Sequence, residues 1–204
     1  MTRVILLERL KEFTEAAVHD LRLPVRPGEE AEELPPPRAP GVYLMRLPEF
    51  RDAMRKAPYI LHQVVTGKDS QTSGHALPDA VAVVRTVFCV YHEDCQEGAL
   101  ALLNLMEQLR IALLEQAVLG GQFVLDLKTG VEMLAYPDDG ESSIAPYYLG
   151  EMVTTWKIPP VKRLASDRVI HGMPPCDPCP KHLEETRKLK GMNQNGKENH
   201  RNAC

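Results

Sequence analysis

The residues best suited to hold a metal ion lie near the carboxyl terminus. Cys176 and Cys179 form a C-x-x-C pair, with His171 before it and His182 after it, and zinc prefers thiolate and imidazole ligands. The spacing fits no zinc finger, and a second cysteine pair is missing. In redox motifs of this kind a helix N-terminus lowers the pKa of the thiol. Prolines within and beside the pair disfavour such a helix here. We interpret these side chains as part of an unstructured tail, with a zinc site as the alternative.

A second group of polar side chains is His92, Glu93 and Asp94, at the predicted junction of a strand and a helix. An imidazole beside two carboxylates could bind a metal or exchange protons. Alternatively, Asp94 caps the helix while Glu93 favours its positive end. We prefer the capping interpretation.

Motifs that carry well-known reactions are absent from the sequence. It contains no G-x-x-x-x-G-K-[ST], G-x-G-x-x-G, H-E-x-x-H or G-x-S-x-G. The segment at 64–74 comes nearest to a phosphate-binding loop, but it lacks the first glycine spacing and the helix that must follow. It fits the tip of a hairpin better. We therefore expect no enzyme activity, no catalytic residues and no cofactor.

Composition narrows the class of protein. The 204 residues carry a net charge of −4, with 44% hydrophobic and 25% charged side chains, as in soluble globular proteins. The net charge gives no excess of positive charge that would attract nucleic acid. No apolar run approaches the roughly 20 residues needed to span a bilayer, and the N-terminal residues do not have the pattern of a signal peptide. The five cysteines are scattered, unlike a disulfide framework. We expect synthesis in a reducing cytoplasm, no membrane partner and no sequence-specific nucleic-acid binding.

The rest of the chain is organised around one long amphipathic helix, predicted from Asp94 to Gly121. Asp94 can cap its start, Glu97 completes a capping-box-like pair, and Gly120-Gly121 supplies a stop. Apolar residues repeat at helical spacing in two stripes. The first stripe is Leu102, Leu105, Met106, Leu109, Ala112 and Leu113. The second stripe is Leu100, Leu103, Ile111, Leu114 and Val118. We predict that a sheet covers the first stripe, and that the N-terminal helix, a neighbouring subunit or both cover the second.

The remaining pattern predicts a second helix and several strands. The helix occupies 3–20 and has Thr2 as its N-cap. The segment 80–92 is apolar on both faces, as in a central strand covered from both sides. Two short strands at 123–136 fit a hairpin. Further strands are predicted at 42–47, 59–66 and 147–158. Strands interrupted by one long helix indicate an α+β fold, a mostly antiparallel sheet with both helices packed on one face.

Two segments stand apart from this pattern. Residues 24–41 form a proline-rich loop, for which we expect no regular structure. Residues 166–204 are polar and poor in large aliphatic side chains, so they cannot bury enough surface to offset the entropy lost on ordering. We predict an α+β domain at 1–165 followed by a disordered C-terminal tail.

Two stretches of the domain are similar to members of a known family. They are DCQEGALALLNLMEQLRIALLEQAVLGGQFVL at 94–125 and PYYLGEMVTTWKIP at 146–159, and PYILHQVVTGKD at 58–69 fits the strand that precedes them. Together they resemble the tail terminator, or tail-completion, proteins of tailed bacteriophages and prophages. These are also described as minor tail or head–tail joining proteins. The resemblance extends over about 42–161.

The resemblance implies a compact protomer that forms a ring, commonly a hexamer, at the head-proximal end of the tail tube. Such a ring ends tube polymerisation and offers the head connector a docking surface. The implied partners are further copies of this chain, the tail tube protein and a connector or neck protein. The expected location is the virion tail, with assembly in the host cytoplasm.

Two alternatives stay open at this point. Within phage assembly, the chain could be a head–tail adaptor or the tube protein itself. From another class, it could be a small metal-binding enzyme or regulator that uses the C-terminal Cys/His tail. For an assembly protein, the candidate oligomer interface consists of the second stripe together with Glu151 and Lys157, since charges there could match those of a partner.

Overall fold

The computed structural model describes residues 2–28, 34–48, 54–70, 79–136 and 144–161. The helices are α1 (Arg3–Ala17) and α2 (Cys95–Glu115), and Met54–Lys56 forms a 3-10 turn. The strands are β1 (Gly41–Leu44), β2 (Tyr59–Ser70), β3 (Asp79–Tyr91), β4 (Val118–Leu119), β5 (Phe123–Leu125), β6 (Val131–Ala135) and β7 (Tyr147–Lys157). The tail predicted at 166–204 lies outside the described residues.

The strands form one sheet with the order β1-β2-β3-β7-β5-β4, and β6 also pairs with β7. Neighbouring strands are antiparallel, except that β1 runs parallel to β2. The ladder between β3 and β7 runs from Val81 opposite Lys157 to Tyr91 opposite Tyr147. Because both helices pack on this mostly antiparallel sheet, the predicted α+β fold is confirmed.

The predicted hairpin at 123–136 is wrong. Instead of pairing with each other, β5 and β6 both pair antiparallel with the same edge of β7, one after the other along its length. Asp126 holds the turn between them, because its carbonyl accepts the backbone N–H groups of Thr129 and Gly130 at 3.1 Å each. Its carboxylate also accepts the backbone N–H of Lys128 at 3.3 Å. The turn thus satisfies its own polar groups, as Asp turns commonly do, and pairing with β7 resumes beyond it.

The helix α2 begins where predicted but ends earlier. Asp94 has an extended backbone, and its Oδ1 accepts the amide three residues later at 2.9 Å, which confirms the N-cap. The helix ends at Glu115. Gly120 and Gly121 have positive φ angles of 56° and 67° and form the tight turn between β4 and β5, where glycine carries no steric cost. Val118 therefore belongs to β4, and its prediction as a helical residue is wrong.

Between the two helices and the sheet lies the main core, which we call the inner layer. From α1 it receives Leu6, Leu7 and Leu10, and from α2 it receives Leu102, Leu105, Met106, Leu109 and Leu113. From the sheet it receives Ile60, Ala82, Val84, Phe88, Met152 and Trp156, among others. All of these side chains are buried. The prediction that the sheet covers the first stripe of α2 is confirmed.

The opposite face of the sheet is unevenly covered. At one end a second cluster is buried, formed by Leu47, Ala57, Tyr59, Leu61, Cys89, Tyr91 and Tyr147. Toward the other end, Val81 and Val83 of β3 are only partly buried. The prediction that β3 is covered on both faces is correct, in the described part of the chain, only near the carboxyl end of the strand.

The proline-rich loop at 24–41 has, in its described residues, no helix and no strand before β1. It is nevertheless attached to the domain. Leu23 and Arg38 exchange two backbone hydrogen bonds of 2.9 and 3.0 Å across its base. Arg26 donates a hydrogen bond to the Tyr147 hydroxyl at 2.9 Å. The loop segments on either side of 29–33 are therefore tied to the end of the sheet that carries the second cluster.

Candidate functional site

His92, Glu93 and Asp94 come together as a helix cap. Besides its capping bond, Asp94 donates its backbone N–H to His92 Nδ1 at 3.1 Å. Glu93 accepts a hydrogen bond from the Tyr91 hydroxyl at 3.3 Å. The capping interpretation of Asp94 is thus confirmed. Within the ranges that the structure describes, no three His, Cys, Asp or Glu side chains are grouped in a way that could hold a metal ion.

A cavity of about 360 Å³ opens beside this cap. It is lined by Pro24, Val25, Leu34, Pro35, Pro36, Pro37, Tyr91, His92 and Glu93. The lining is mostly apolar, and its ionisable side chains, Tyr91, His92 and Glu93, already have partners in the cap. The cavity could accept an apolar side chain, but it does not bring a nucleophile and a base together.

The described cysteines differ in exposure. Cys89 is buried beside Tyr59, and this burial raises the pKa of its thiol to about 12, so it stays protonated and unreactive at neutral pH. Cys95 is exposed at the start of α2. The four metal candidates of the tail, His171, Cys176, Cys179 and His182, lie outside the described residues. A zinc site there stays a prediction.

A buried polar network in the inner layer was missed by the sequence reasoning. His62 of β2 is fully buried. Its Nε2 lies 3.0 Å from Thr14 Oγ1 on α1, and its Nδ1 lies 2.9 Å from Thr86 Oγ1 on β3. A neutral imidazole satisfies both contacts, donating through one nitrogen and accepting through the other. The available signal was the alternation of β2, in which His62 shares a face with Ile60.

Burial also fixes the charge of this histidine. It lowers the pKa of His62 to about 3, so the ring is neutral at physiological pH. With both nitrogens occupied by threonines, the ring has no free position for a substrate or a metal. We conclude that the network joins α1 to the sheet and has a structural role.

The second stripe of α2 faces away from the inner layer. Leu100, Leu103, Ile111 and Leu114 are 51%, 46%, 47% and 39% exposed, and Val118 of β4 is 43% exposed. The N-terminal helix packs beside α2, where Gln108 Nε2 donates to the Ala17 carbonyl at 2.8 Å. Within the described residues α1 leaves the stripe open, so the prediction that it covers these side chains is wrong. Cover by a neighbouring subunit stays a prediction.

A separate apolar patch lies along the edge of the sheet at β6. Leu134 and Tyr136 are 54% and 47% exposed. In the part of the chain that the structure describes, β6 pairs only with β7, so its other side offers free backbone groups. An unpaired strand edge with apolar side chains is a ready place for a second chain to attach.

The two charged interface candidates already have partners inside the chain. Glu151 lies 3.7 Å from Arg85, and Lys157 lies 3.4 Å from Asp126. Arg85 also donates to Gln63 at 3.2 Å, so a band of polar side chains crosses the second face of the sheet. Partly exposed ion pairs of this kind contribute at most about 1 kcal/mol. A role for Glu151 and Lys157 at an interface stays a prediction.

Two glycines in the stretches that resemble tail terminators have a physical reason to be there. A Cβ at Gly98, in the first turn of α2, would overlap the ring of Tyr148. A Cβ at Gly150 of β7 would lie 2.5 Å from Met106 Sδ. Both glycines therefore allow α2 to approach β7 closely.

The described domain thus offers surfaces for association more readily than a reacting centre. The sequence matches no protein-family model and no curated protein. In the described ranges, no helix is long and apolar enough to cross a membrane. The features that bear on function are the exposed stripe of α2, the edge at β6 and the two stretches that resemble tail terminators.

Proposed function

We propose that this protein is a structural assembly protein of a tailed bacteriophage, a tail terminator whose copies form a ring that ends the tail tube and docks it to the head connector. The observation that carries the proposal is the pair of exposed apolar surfaces, one on α2 and one along β6. The resemblance at 94–125 and 146–159 supplies the specific assembly. In this role the protein acts by shape and charge, and it makes or breaks no covalent bond.

A closed ring of three or more copies requires two different surfaces on each protomer, because the contacts around such a ring are heterologous. The sheet has two such edges. β1 ends it on one side, and β6 borders β7 on the other. Joining the β6 edge of one protomer to the β1 edge of the next would pair two strand edges that have no strand partner among the described residues. We propose this edge-to-edge contact as the one that closes the ring.

Electron microscopy of the purified full-length protein, combined with mass measurement in solution, tests the proposal. A terminator gives single closed rings with a central opening. Long open-ended tubes would instead identify a tail tube protein. The proposal would be contradicted if no particle had an opening at any protein concentration. If the protein also bound stoichiometric zinc, and lost it when Cys176 and Cys179 were changed to Ser, the metal-binding alternative would be favoured.

A matched pair of variants tests the edge contact. Leu134→Lys places a charge on the exposed side of β6 and should abolish the rings, since an unpaired charge is costly to bury. Val4→Lys is the control, because Val4 is 61% exposed and belongs to α1 rather than to a strand. Rings that survive Leu134→Lys would show that another surface closes them.

A further inference from the structure

The exposed stripe of α2 has a symmetric spacing. Its members on the helix are Leu100, Leu103, Ile111 and Leu114, with Glu107 in the middle of the row. The successive intervals are 3, 4, 4 and 3 residues, as the numbers of these positions give. At about 100° per residue the five positions fall within an arc of about 80°, so they form one straight seam. From either end the seam has the same spacing, with two apolar side chains on each side of the central glutamate.

From this symmetry we infer that the stripe binds the same stripe of a second copy, with the two α2 helices antiparallel about a two-fold axis. In this arrangement Leu100 lies opposite the partner's Leu114, and Leu103 lies opposite the partner's Ile111. The two copies of Glu107 meet at the axis. Each residue pair then occurs twice, as in an isologous interface, and each apolar side chain contacts an apolar side chain.

The charges along the seam agree with this pairing. Glu107 forms an ion pair with Arg110 on its own helix at 2.7 Å, and both side chains are about one third exposed. Each copy therefore brings one negative and one positive charge to the middle of the seam, so two copies meet without net repulsion. The antiparallel direction also sets the positive end of each helix beside the negative end of the other.

The size of the seam sets the expected affinity. A 21-residue helix is about 32 Å long and about 10 Å wide, so each copy would bury roughly 300 Å² through α2 alone. The two copies together would bury roughly 600 Å², about half of the roughly 1,200 Å² at the low end of stable specific interfaces. We therefore expect a weak dimer, with a dissociation constant on the order of 100 μM unless flanking side chains add to the contact.

This contact is separate from the edge-to-edge contact that closes the proposed ring, although the exposed stripe also supports the assembly role. A two-fold contact closes on itself and cannot build a ring, so any ring must use other surfaces such as the strand edges. If rings form, the seam joins two of them. If they do not, it joins two protomers. In either case, loss of the seam halves the mass of the particle.

The pairing is tested by charge substitutions at the two positions that should face each other. Leu103→Lys and Ile111→Glu each place an unpaired charge against an apolar partner, and each should raise the dissociation constant at least about tenfold. The double variant Leu103→Lys/Ile111→Glu sets opposite charges against each other twice in an antiparallel dimer and should restore association. Sedimentation of the full-length protein from micromolar to submillimolar concentration measures all three, with Val4→Lys as the control.

The double variant makes the inference specific. In a parallel pair it would bring like charges together, and in a heterologous contact it would meet unrelated residues, so association would stay lost. A double variant that remains at half the wild-type mass therefore overturns the antiparallel two-fold pairing. A wild-type particle whose mass neither single variant changes also overturns it. Because both changed positions are nearly half exposed, the monomer should keep its fold, and far-UV circular dichroism checks this.

Discussion

The two faces of α2 have similar side chains and opposite environments. Leu105 faces the inner layer and is fully buried, whereas Leu103, two positions earlier, is 46% exposed. Nothing in the types of residue separates the two faces, since both are rich in leucine. The difference comes from the sheet, which covers a single side of the helix. The inward face therefore contributes to the stability of the protomer, and the outward face is available for a contact with another chain.

The largest expected effect distinguishes these two faces directly. Leu105→Ala removes a fully buried side chain and leaves a cavity, so it should lower the free energy of unfolding by about 3 kcal/mol. Leu103→Ala, the same change on the outward face, should lower it by less than about 1 kcal/mol. Urea denaturation at submicromolar protein, where the copies are dissociated, measures both values.

Equal losses for the two variants at this low concentration would contradict the comparison. They would mean that both faces are buried within a single chain. A loss for Leu103→Ala that appears only at high protein concentration would instead link the outward face to association, because binding stabilises the folded state by mass action.

The second effect concerns the polar part of the inner layer. Burial lowers the pKa of His62 to about 3 in the folded protein, whereas the unfolded chain has a value near 6.5. Between these values the unfolded state binds more protons, so stability is complete above about pH 6.5 and falls as the pH decreases toward 3. At pH 4.5, two units below the unfolded pKa, the loss attributable to this group is about 2 to 3 kcal/mol.

Urea denaturation between pH 7 and pH 4.5 checks this pH dependence. His62→Gln is the comparison, because its amide can bond the same two threonines without titrating. The variant should lose less stability than the wild type over this interval. If the two proteins have the same pH dependence, other groups cause the acid sensitivity and His62 is not kept neutral by burial.

The smallest of the three effects tests the closest contact on the inward face. Gly98→Ala introduces a Cβ that overlaps the Tyr148 ring, and overpacking of this kind costs about 2 kcal/mol. Alanine favours a helix by up to about 1 kcal/mol over glycine, so the net loss should be about 1 kcal/mol. Thermal or urea unfolding would measure it.

The change Tyr148→Leu provides the control for that contact. It makes room for the added methyl group, so Gly98→Ala should be neutral or stabilising in the Tyr148→Leu background. A loss of the same size in both backgrounds would contradict the contact, since double-mutant cycles detect interaction only between neighbouring side chains.

Much of the fold could be predicted from local pattern. Asp94 and Thr2 stand before helical periodicity, and their caps lie where the sequence indicated. The strands β2, β3 and β7 follow from β-branched and aromatic runs, and the proline-rich loop follows from its composition. Each of these signals acts within a few residues of the chain, which is why the sequence alone determines it.

What only the tertiary structure decided depends on which segments meet. β5 and β6 have the pattern of a hairpin, but both pair with β7, because strand pairing depends on distant residues. His62 could be placed on a buried face from the alternation of β2, but its bonds to Thr14 and Thr86 join three separate elements. The two apolar stripes of α2 were evident in the sequence, whereas the side that the sheet covers is a property of the folded domain. The exposed seam that remains is the feature on which the proposed association depends.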